Sequence, residues 1–222
     1  MNHPALTWTE DDTPIAAAFA DPYFTGGLAE SQHVFMAGNG LPGRLRDGFC
    51  VAELGFGTGL NLAMLAQAWA GPGTLHYTSF EAFPMRPEDM ARALAPFDLA
   101  LAGALVTGWA DATTGAPDGV RQIDLPGVRA HIHVGDARTR LGQWRGRADA
   151  WFLDGFAPAR NPELWGEALM AQVGAHTNPG GTVATYTAAG HVRRALADAG
   201  FAVQRIPGYG RKKHMTTGRM PL

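Results

Sequence analysis

Apolar positions along this chain of 222 residues follow two alternating patterns. From Phe49 onward, short continuous apolar runs alternate with longer stretches of helical periodicity. The runs Cys50–Leu54, His76–Glu81, Ala130–Val134, Ala150–Leu153, Thr182–Thr187 and Phe201–Ile206 predict strands. Helices are expected between them at Leu60–Trp69, Glu163–Val173 and Gly190–Ala199. Strands that are apolar throughout belong in a mostly parallel, twisted sheet with helices on both faces, an α/β architecture. The Ala- and Leu-rich stretch Met85–Trp109, with Pro87 at its front, reads as a helical insertion after the second strand, and Asp111–Gly119 as loop. Before residue 49 strand signals are weak. Ile15–Ala20 and Ala29–Met36 read as short helices around the turn Asp21-Pro22-Tyr23-Phe24, giving a helical extension over residues 1–48. Lys212–Met220 is expected as a short closing strand. No repeat, low-complexity tract or long linker divides the chain, so residues 1–222 are expected to form a single domain.

In such a sheet, ligands bind outside the carboxyl ends of the strands, so the residues that follow each strand carry the chemistry. The first strand runs into Glu53-Leu-Gly-Phe-Gly-Thr-Gly-Leu-Asn61. Gly55, Gly57 and Gly59 permit positive φ and let a ligand approach the backbone around Phe56 and Thr58. A helix that begins near Leu60, with Asn61 in its first turn, aims free N–H groups at a carboxylate. The third glycine comes earlier than in the dinucleotide fingerprint. This spacing resembles the nucleoside-binding turn of class I S-adenosylmethionine-dependent methyltransferases, which have a Rossmann-like fold. In that pattern Glu53 could meet the cofactor's ammonium or fix the turn. Glu81, at the second strand end, could accept both ribose hydroxyls or be a solvated acid. Asp136, followed by Ala137, could meet the adenine amino group or cap a helix.

The fourth strand ends in Asp154-Gly-Phe-Ala-Pro-Ala-Arg-Asn-Pro162, where an apolar strand delivers a carboxylate into a tight turn. Methyl transfer is an in-line displacement, to which an enzyme contributes alignment and a suitable field. A carboxylate with neighbouring carbonyls would hold an amine's hydrogens and leave its lone pair aimed at the methyl group. Asp154 is therefore the expected catalytic residue. A carboxylate of pKa about 4 is a poor base for an ammonium of pKa about 10 unless burial raises it, so alignment outranks proton abstraction.

Longer runs narrow the acceptor. Phe19–Phe24, Val34–Asn39, Glu53–Asn61, Glu81–Pro84, Asp149–Pro162, Pro179–Thr182, Thr185–Arg194 and Gly208–Met215 resemble the methyltransferase half of the bifunctional tRNA wobble-uridine enzymes of the MnmC family and their stand-alone MnmD versions. The resemblance implies N-methylation of 5-aminomethyl-(2-thio)uridine in tRNA. S-adenosylmethionine would be the donor and S-adenosylhomocysteine the product, with no flavin and no metal. It implies cofactor roles for Glu53, the glycines, Glu81 and Asp136, and places Asp154 at the acceptor amine. The family usually has a lysine after the acid corresponding to Glu81, where this chain has Ala82. The flavin-dependent oxidase half is absent from these 222 residues, which leaves room for a separate FAD-dependent oxidase acting upstream.

Composition bears on the partner. Net charge is −2, so a tRNA surface must be a local basic patch. Arg160, Arg193 with Arg194, and Arg211-Lys212-Lys213 are the candidates, acting on phosphates to set register rather than to choose a base. Phe156, Tyr186 and Phe24 are candidates to stack on the target base. His131, His133 and His191 lack metal-ligand company, and the single Cys50 excludes a disulfide framework. No apolar run reaches the ~20 residues of a membrane span, and residues 1–12 do not read as a signal peptide, so a cytoplasmic protein is expected. Two other readings compete: a methyltransferase for a small-molecule amine, and a cofactor-binding subunit or sensor without chemistry. The Asp154 turn argues against the sensor, and the basic cluster against a small free amine.

Overall fold

The computed structural model describes residues 3–112 and 119–222. The chain opens with three short strands, β1 (Leu6–Trp8), β2 (Pro14–Ala16) and β3 (Asp21–Pro22), paired antiparallel in a small sheet. Helix α1 (Gly27–Ser31) continues through a π-helical turn, Gln32–Met36, and a 3-10 turn, Ala37–Asn39. The main body follows as β4 (Cys50–Leu54), α2 (Leu60–Ala68), β5 (Leu75–Glu81), α3 (Pro87–Leu94), α4 (Ala102–Ala112), β6 (Val120–Leu125), β7 (Val128–Val134), α5 (Ala137–Gln143) and β8 (Ala148–Leu153). It closes with α6 (Glu167–Ala175), β9 (Thr177–Thr185), α7 (Gly190–Asp198), β10 (Ala202–Pro207) and β11 (His214–Arg219).

The eight-stranded sheet has the order β10-β11-β9-β8-β4-β5-β7-β6. Strand β4 pairs parallel with both β5 and β8, and the parallel run extends to β7 and β9. Only β6 and β11 run against their neighbours. From β4 the chain builds outward on one side through β5 and on the other through β8, so the order reverses at β4 and leaves a crevice at the carboxyl ends of β4 and β8. The side chains explain why these strands sit at the centre. Every residue of β8 is buried, with Trp151 and Leu153 in the core on one face and Phe152 in the core on the other. Helices α5, α6 and α7 cover the first face, while α2, α4 and the Gln32–Met36 turn cover the second.

Several expectations need correction. Ile15–Ala20 is not helical: Ile15 and Ala16 belong to β2, because pairing with Leu6–Trp8 outweighs the helix propensity of the alanine-rich run. The extension over residues 1–48 is therefore part sheet and part helix. The Met85–Trp109 insertion is two helices, α3 and α4, since Pro96 supplies no N–H to continue α3. Strand β6 was not anticipated, and helix α5 was foreseen only as the helix that Asp136 could cap; β6 joins β7 in a hairpin around Pro126-Gly127. The strand expected at Thr182–Thr187 runs earlier, Thr177–Thr185, and the helix expected at Glu163–Val173 is a 3-10 turn, Pro162–Trp165, followed by α6. Of the loop expected at Asp111–Gly119, residues 111 and 112 close α4, and residues 113–118 lie outside the described residues.

Candidate active site

A cavity of about 580 Å³ opens over the carboxyl ends of the central strands, within the usual range for small-molecule sites. The turn after β4 forms its floor. Gly55 has φ +87°, and a Cβ there would collide with the Asp154 carbonyl oxygen at the end of the neighbouring β8. Gly57 has φ +53°, and a Cβ would stand 3.0 Å from the ring of Tyr23. The space these glycines leave is thus filled partly by the protein itself. It brings the ends of β4 and β8 together and lets the N-terminal segment close over the turn.

Two carboxylates meet beneath this floor through one amide. Glu53 is completely buried and accepts hydrogen bonds from Tyr77 Oη (2.5 Å), Ser79 Oγ (2.9 Å) and Asn61 Nδ2 (2.8 Å). Asn61 Nδ2 donates also to Asp154 Oδ2, at 2.8 Å, so both amide hydrogens are used between the two acids. Asn61 Oδ1 is buried without a hydrogen-bond partner. Burial, reinforced by the Asp154 charge, pushes the Glu53 carboxyl up to about 8. Burial likewise pushes Asp154 up to about 7, against the Asn61 hydrogen bond that favours its ionised form. Asp154 lines the cavity, whereas Glu53 does not. Of the two roles open to Glu53, fixing the turn is the one its position supports.

The other two acids are also held by backbone. Glu81 Oε2 accepts from Gly57 N at 2.8 Å and Oε1 from Phe83 N at 2.7 Å, while burial raises its pKa. Asp136 is exposed at the cavity edge and caps α5, accepting from Arg138 N at 2.9 Å. Its carboxylate also pairs with the Arg138 guanidinium, which holds its pKa below the usual range. The helix cap foreseen for Asp136 is present, and the carboxylate stands at the cavity edge, where the other role, contact with an adenine amino group, would require it.

The remaining sequence candidates divide. Gly55, Phe56, Gly57, Thr58, Asn61, Ala137, Phe156, Arg160 and Lys212 line the cavity; Gly59, Arg193, Arg211 and Lys213 do not. Arg193 is half-buried on α7, and Arg211 and Lys213 are exposed between β10 and β11. The carbonyls expected to face the acceptor are already engaged: Gly155 O accepts from Tyr186 Oη (2.6 Å) and Phe156 O from Trp165 Nε1 (2.9 Å). Phe156 stacks on Phe19 with ring centroids 4.5 Å apart and meets Tyr23 edge-on. Tyr186 and Phe24 line the cavity too.

One wall was missed. Asp21, Tyr23 and Glu30 come from the N-terminal segment, and Asp21 Oδ2 accepts from Ala157 N at 2.7 Å in the turn after Asp154. The sequence signals for that wall were the run Phe19–Phe24, noted for its resemblance, and Phe24 as a stacking candidate; neither pointed to Asp21, Tyr23 or Glu30. Among the described residues, no group of three His, Cys, Asp or Glu side chains could hold a metal ion.

A family model described as S-adenosyl-L-methionine-dependent methyltransferase matches residues 102–221. The chain belongs to this methyltransferase family. It is 46% identical to the tRNA 5-methylaminomethyl-2-thiouridine biosynthesis bifunctional protein MnmC of Caulobacter sp. (strain K31), over 94% of this chain and 37% of that protein. The protein of the same name from Pseudomonas aeruginosa (strain UCBPP-PA14) is 42% identical over 98% of this chain and 35% of its own length. The methyltransferase chain thus spans little more than a third of these relatives. The crystal structure of MNMC2 from Aquifex aeolicus shares the fold, with a TM-score of 0.76 and 23% identity over 100% of this chain and 73% of that one. The site suits the family's cofactor on its own terms. The glycine turn gives close backbone access, Glu81 lines the cavity with its carboxylate fixed by backbone N–H groups, and Asn61 Oδ1 is a buried acceptor without a hydrogen-bond partner.

Proposed function

We propose that this methyltransferase N-methylates the exocyclic amine of 5-aminomethyl-(2-thio)uridine at the wobble position of tRNA, giving the 5-methylaminomethyl product. One observation carries this most directly: Asp154, held by Asn61, opens onto the same cavity as the glycine turn, Glu81 and Asp136. The names of its MnmC relatives support the same acceptor. On this reading Glu81 takes the ribose hydroxyls of the cofactor, Asp136 and Ala137 border its adenine, and Asn61 Oδ1 accepts from its ammonium. Glu53 holds Asn61 in place.

The acceptor arrives as an ammonium and must release a proton before its lone pair is free. Asp154, with its pKa pushed up to about 7, is suited both to take that proton and to align the amine. Bound S-adenosylmethionine supplies an electrophilic methyl group: the N–C bond forms as the C–S bond breaks, leaving S-adenosylhomocysteine and a secondary ammonium. Arg160 at the mouth, with Arg211 and Lys213 on the β10–β11 turn, would contact tRNA phosphates. The relatives are named bifunctional, and for this chain a separate FAD-dependent oxidase acting upstream would supply the amine. No helix among the described residues is long and apolar enough to cross a membrane, which agrees with a tRNA enzyme of the cytoplasm.

The test is transfer of labelled methyl groups to bulk tRNA from cells lacking this methylation, followed by nucleoside analysis. Label in 5-methylaminomethyl-(2-thio)uridine is expected. No incorporation into tRNA, or incorporation only into small amines, overturns the proposal.

A further inference from the structure

Next to Asp154, on the acceptor side of the cavity, the chain has placed one of its own cations. Lys212 Nζ lies 2.7 Å from Glu30 Oε1 and 4.1 Å from the ring centroid of Tyr186. All three side chains line the cavity with Asp154, and the Tyr186 hydroxyl bonds the carbonyl of Gly155, the residue after Asp154. Glu30 is the fixed member. Its side chain is only 10% exposed, and its Oε2 accepts from Gly26 N and Thr25 Oγ1, both at 2.9 Å. Burial works against its charge, yet the bonds from Lys212, Gly26 and Thr25 keep its carboxyl below the ordinary pKa. Lys212 is the movable member, with a side chain 38% exposed at the end of a flexible stem on the β10–β11 turn.

A buried carboxylate beside an aromatic face is a binding site for an ammonium group. A primary aminomethyl acceptor carries such a group. We propose that Glu30 and the face of Tyr186 form the recognition cage for the acceptor's ammonium, and that Lys212 is an internal cation that fills the cage until the acceptor displaces it. The cage rests on the reading of Asp154 as the acceptor end of the cavity. It gives the amine a docking partner that stays ionised, separate from the group that takes its proton. It also explains why an acceptor without the amine would be refused: plain uridine offers nothing to exchange for Lys212.

Two variants and two tRNAs test this. The tRNAs differ only in carrying 5-aminomethyluridine or uridine at the wobble position. Glu30→Gln is expected to weaken binding of the amine-bearing tRNA by about tenfold or more, with affinity for the uridine tRNA and for S-adenosylmethionine unchanged. Lys212→Met, which removes the competitor, is expected to tighten the amine-bearing tRNA by about two- to fivefold, the worth of a partly exposed ion pair. If Glu30→Gln leaves the ratio of the two affinities unchanged, or Lys212→Met weakens or does not alter binding of the amine-bearing tRNA, the cage is wrong. Should Glu30→Gln fail to fold, Lys212→Met on its exposed turn carries the test alone. A wild-type protein that neither methylates nor prefers the amine-bearing tRNA overturns the function proposed above and the cage with it. A wild type that methylates it, with variants lacking these shifts, overturns the cage alone.

Discussion

Asp154→Asn should remove activity and add stability. The variant keeps the size and shape of the side chain, and its Oδ1 can still accept from Asn61 Nδ2, which reaches Asp154 across 2.8 Å. The folded protein raises the Asp154 pKa from 3.8 to about 7. Between those two values the native state holds a proton that the unfolded chain has released. Stability therefore falls as pH climbs through this window and stays reduced above it. Three units at about 1.4 kcal/mol each would be about 4 kcal/mol, but Asp154 opens onto the cavity, and solvent screening brings the expected penalty nearer 1–2 kcal/mol. The amide bears none of it. Urea denaturation should find wild type and variant alike near pH 4, and the variant more stable by about 1–2 kcal/mol at pH 8.5. Turnover should drop by about 10²–10⁴, since no group remains to take the acceptor's proton. Calorimetry should show S-adenosylmethionine affinity kept. A variant that is less stable at pH 8.5, or that turns over within about threefold of wild type, refutes the desolvated, catalytic carboxylate.

The same raised pKa sets the acid limb of the kcat/KM profile: activity should break near pH 7, and a break near pH 4 would mean that Asp154 is not the titrating group. Gly55→Ala adds a Cβ at φ +87°, against the Asp154 carbonyl. It should cost at least the ~1–2 kcal/mol of a left-handed backbone, and more in turnover because it separates the strand ends; near-wild-type turnover would contradict that geometry. Arg211→Glu combined with Lys213→Glu should weaken tRNA binding and reduce the slope of log K against log salt by about 1.5, and an unchanged slope would remove the β10–β11 turn from the phosphate interface.

What could be read in advance, and what could not, follows from the range of the interactions. Strand β8 is buried throughout and carries the continuous apolar run Ala150–Leu153, and β4 is apolar but for Glu53, whereas β5 mixes polar and apolar residues although all but His76 are buried. Once a doubly wound sheet is recognised, its topology alone brings Glu53, Glu81, Asp136 and Asp154 to one edge, wherever they fall in the chain. Strands of two or three residues, such as β1 to β3, are too short to show any period, and only their pairing makes them strands. The wall they help to place depends on contacts that no local pattern encodes: Asp21 bonds a residue 136 positions away, and Glu30 one 182 positions away.

Arg211-Lys212-Lys213 shows where charge patterning stops being informative. As a run it reads as a solvated basic loop, and all three residues could be assigned to phosphates. In the folded turn, Arg211 and Lys213 are exposed while Lys212 is drawn inward by Glu30 and Tyr186. Glu30 costs burial energy as an anion and needs a cation, and Lys212 is the one that reaches it. On the proposed reading the three adjacent cations split between two jobs, with Arg211 and Lys213 exposed and Lys212 turned to the cavity. A charge reversal across all three would conflate them, whereas changing 211 and 213 apart from 212 separates the affinity for tRNA from the choice of acceptor.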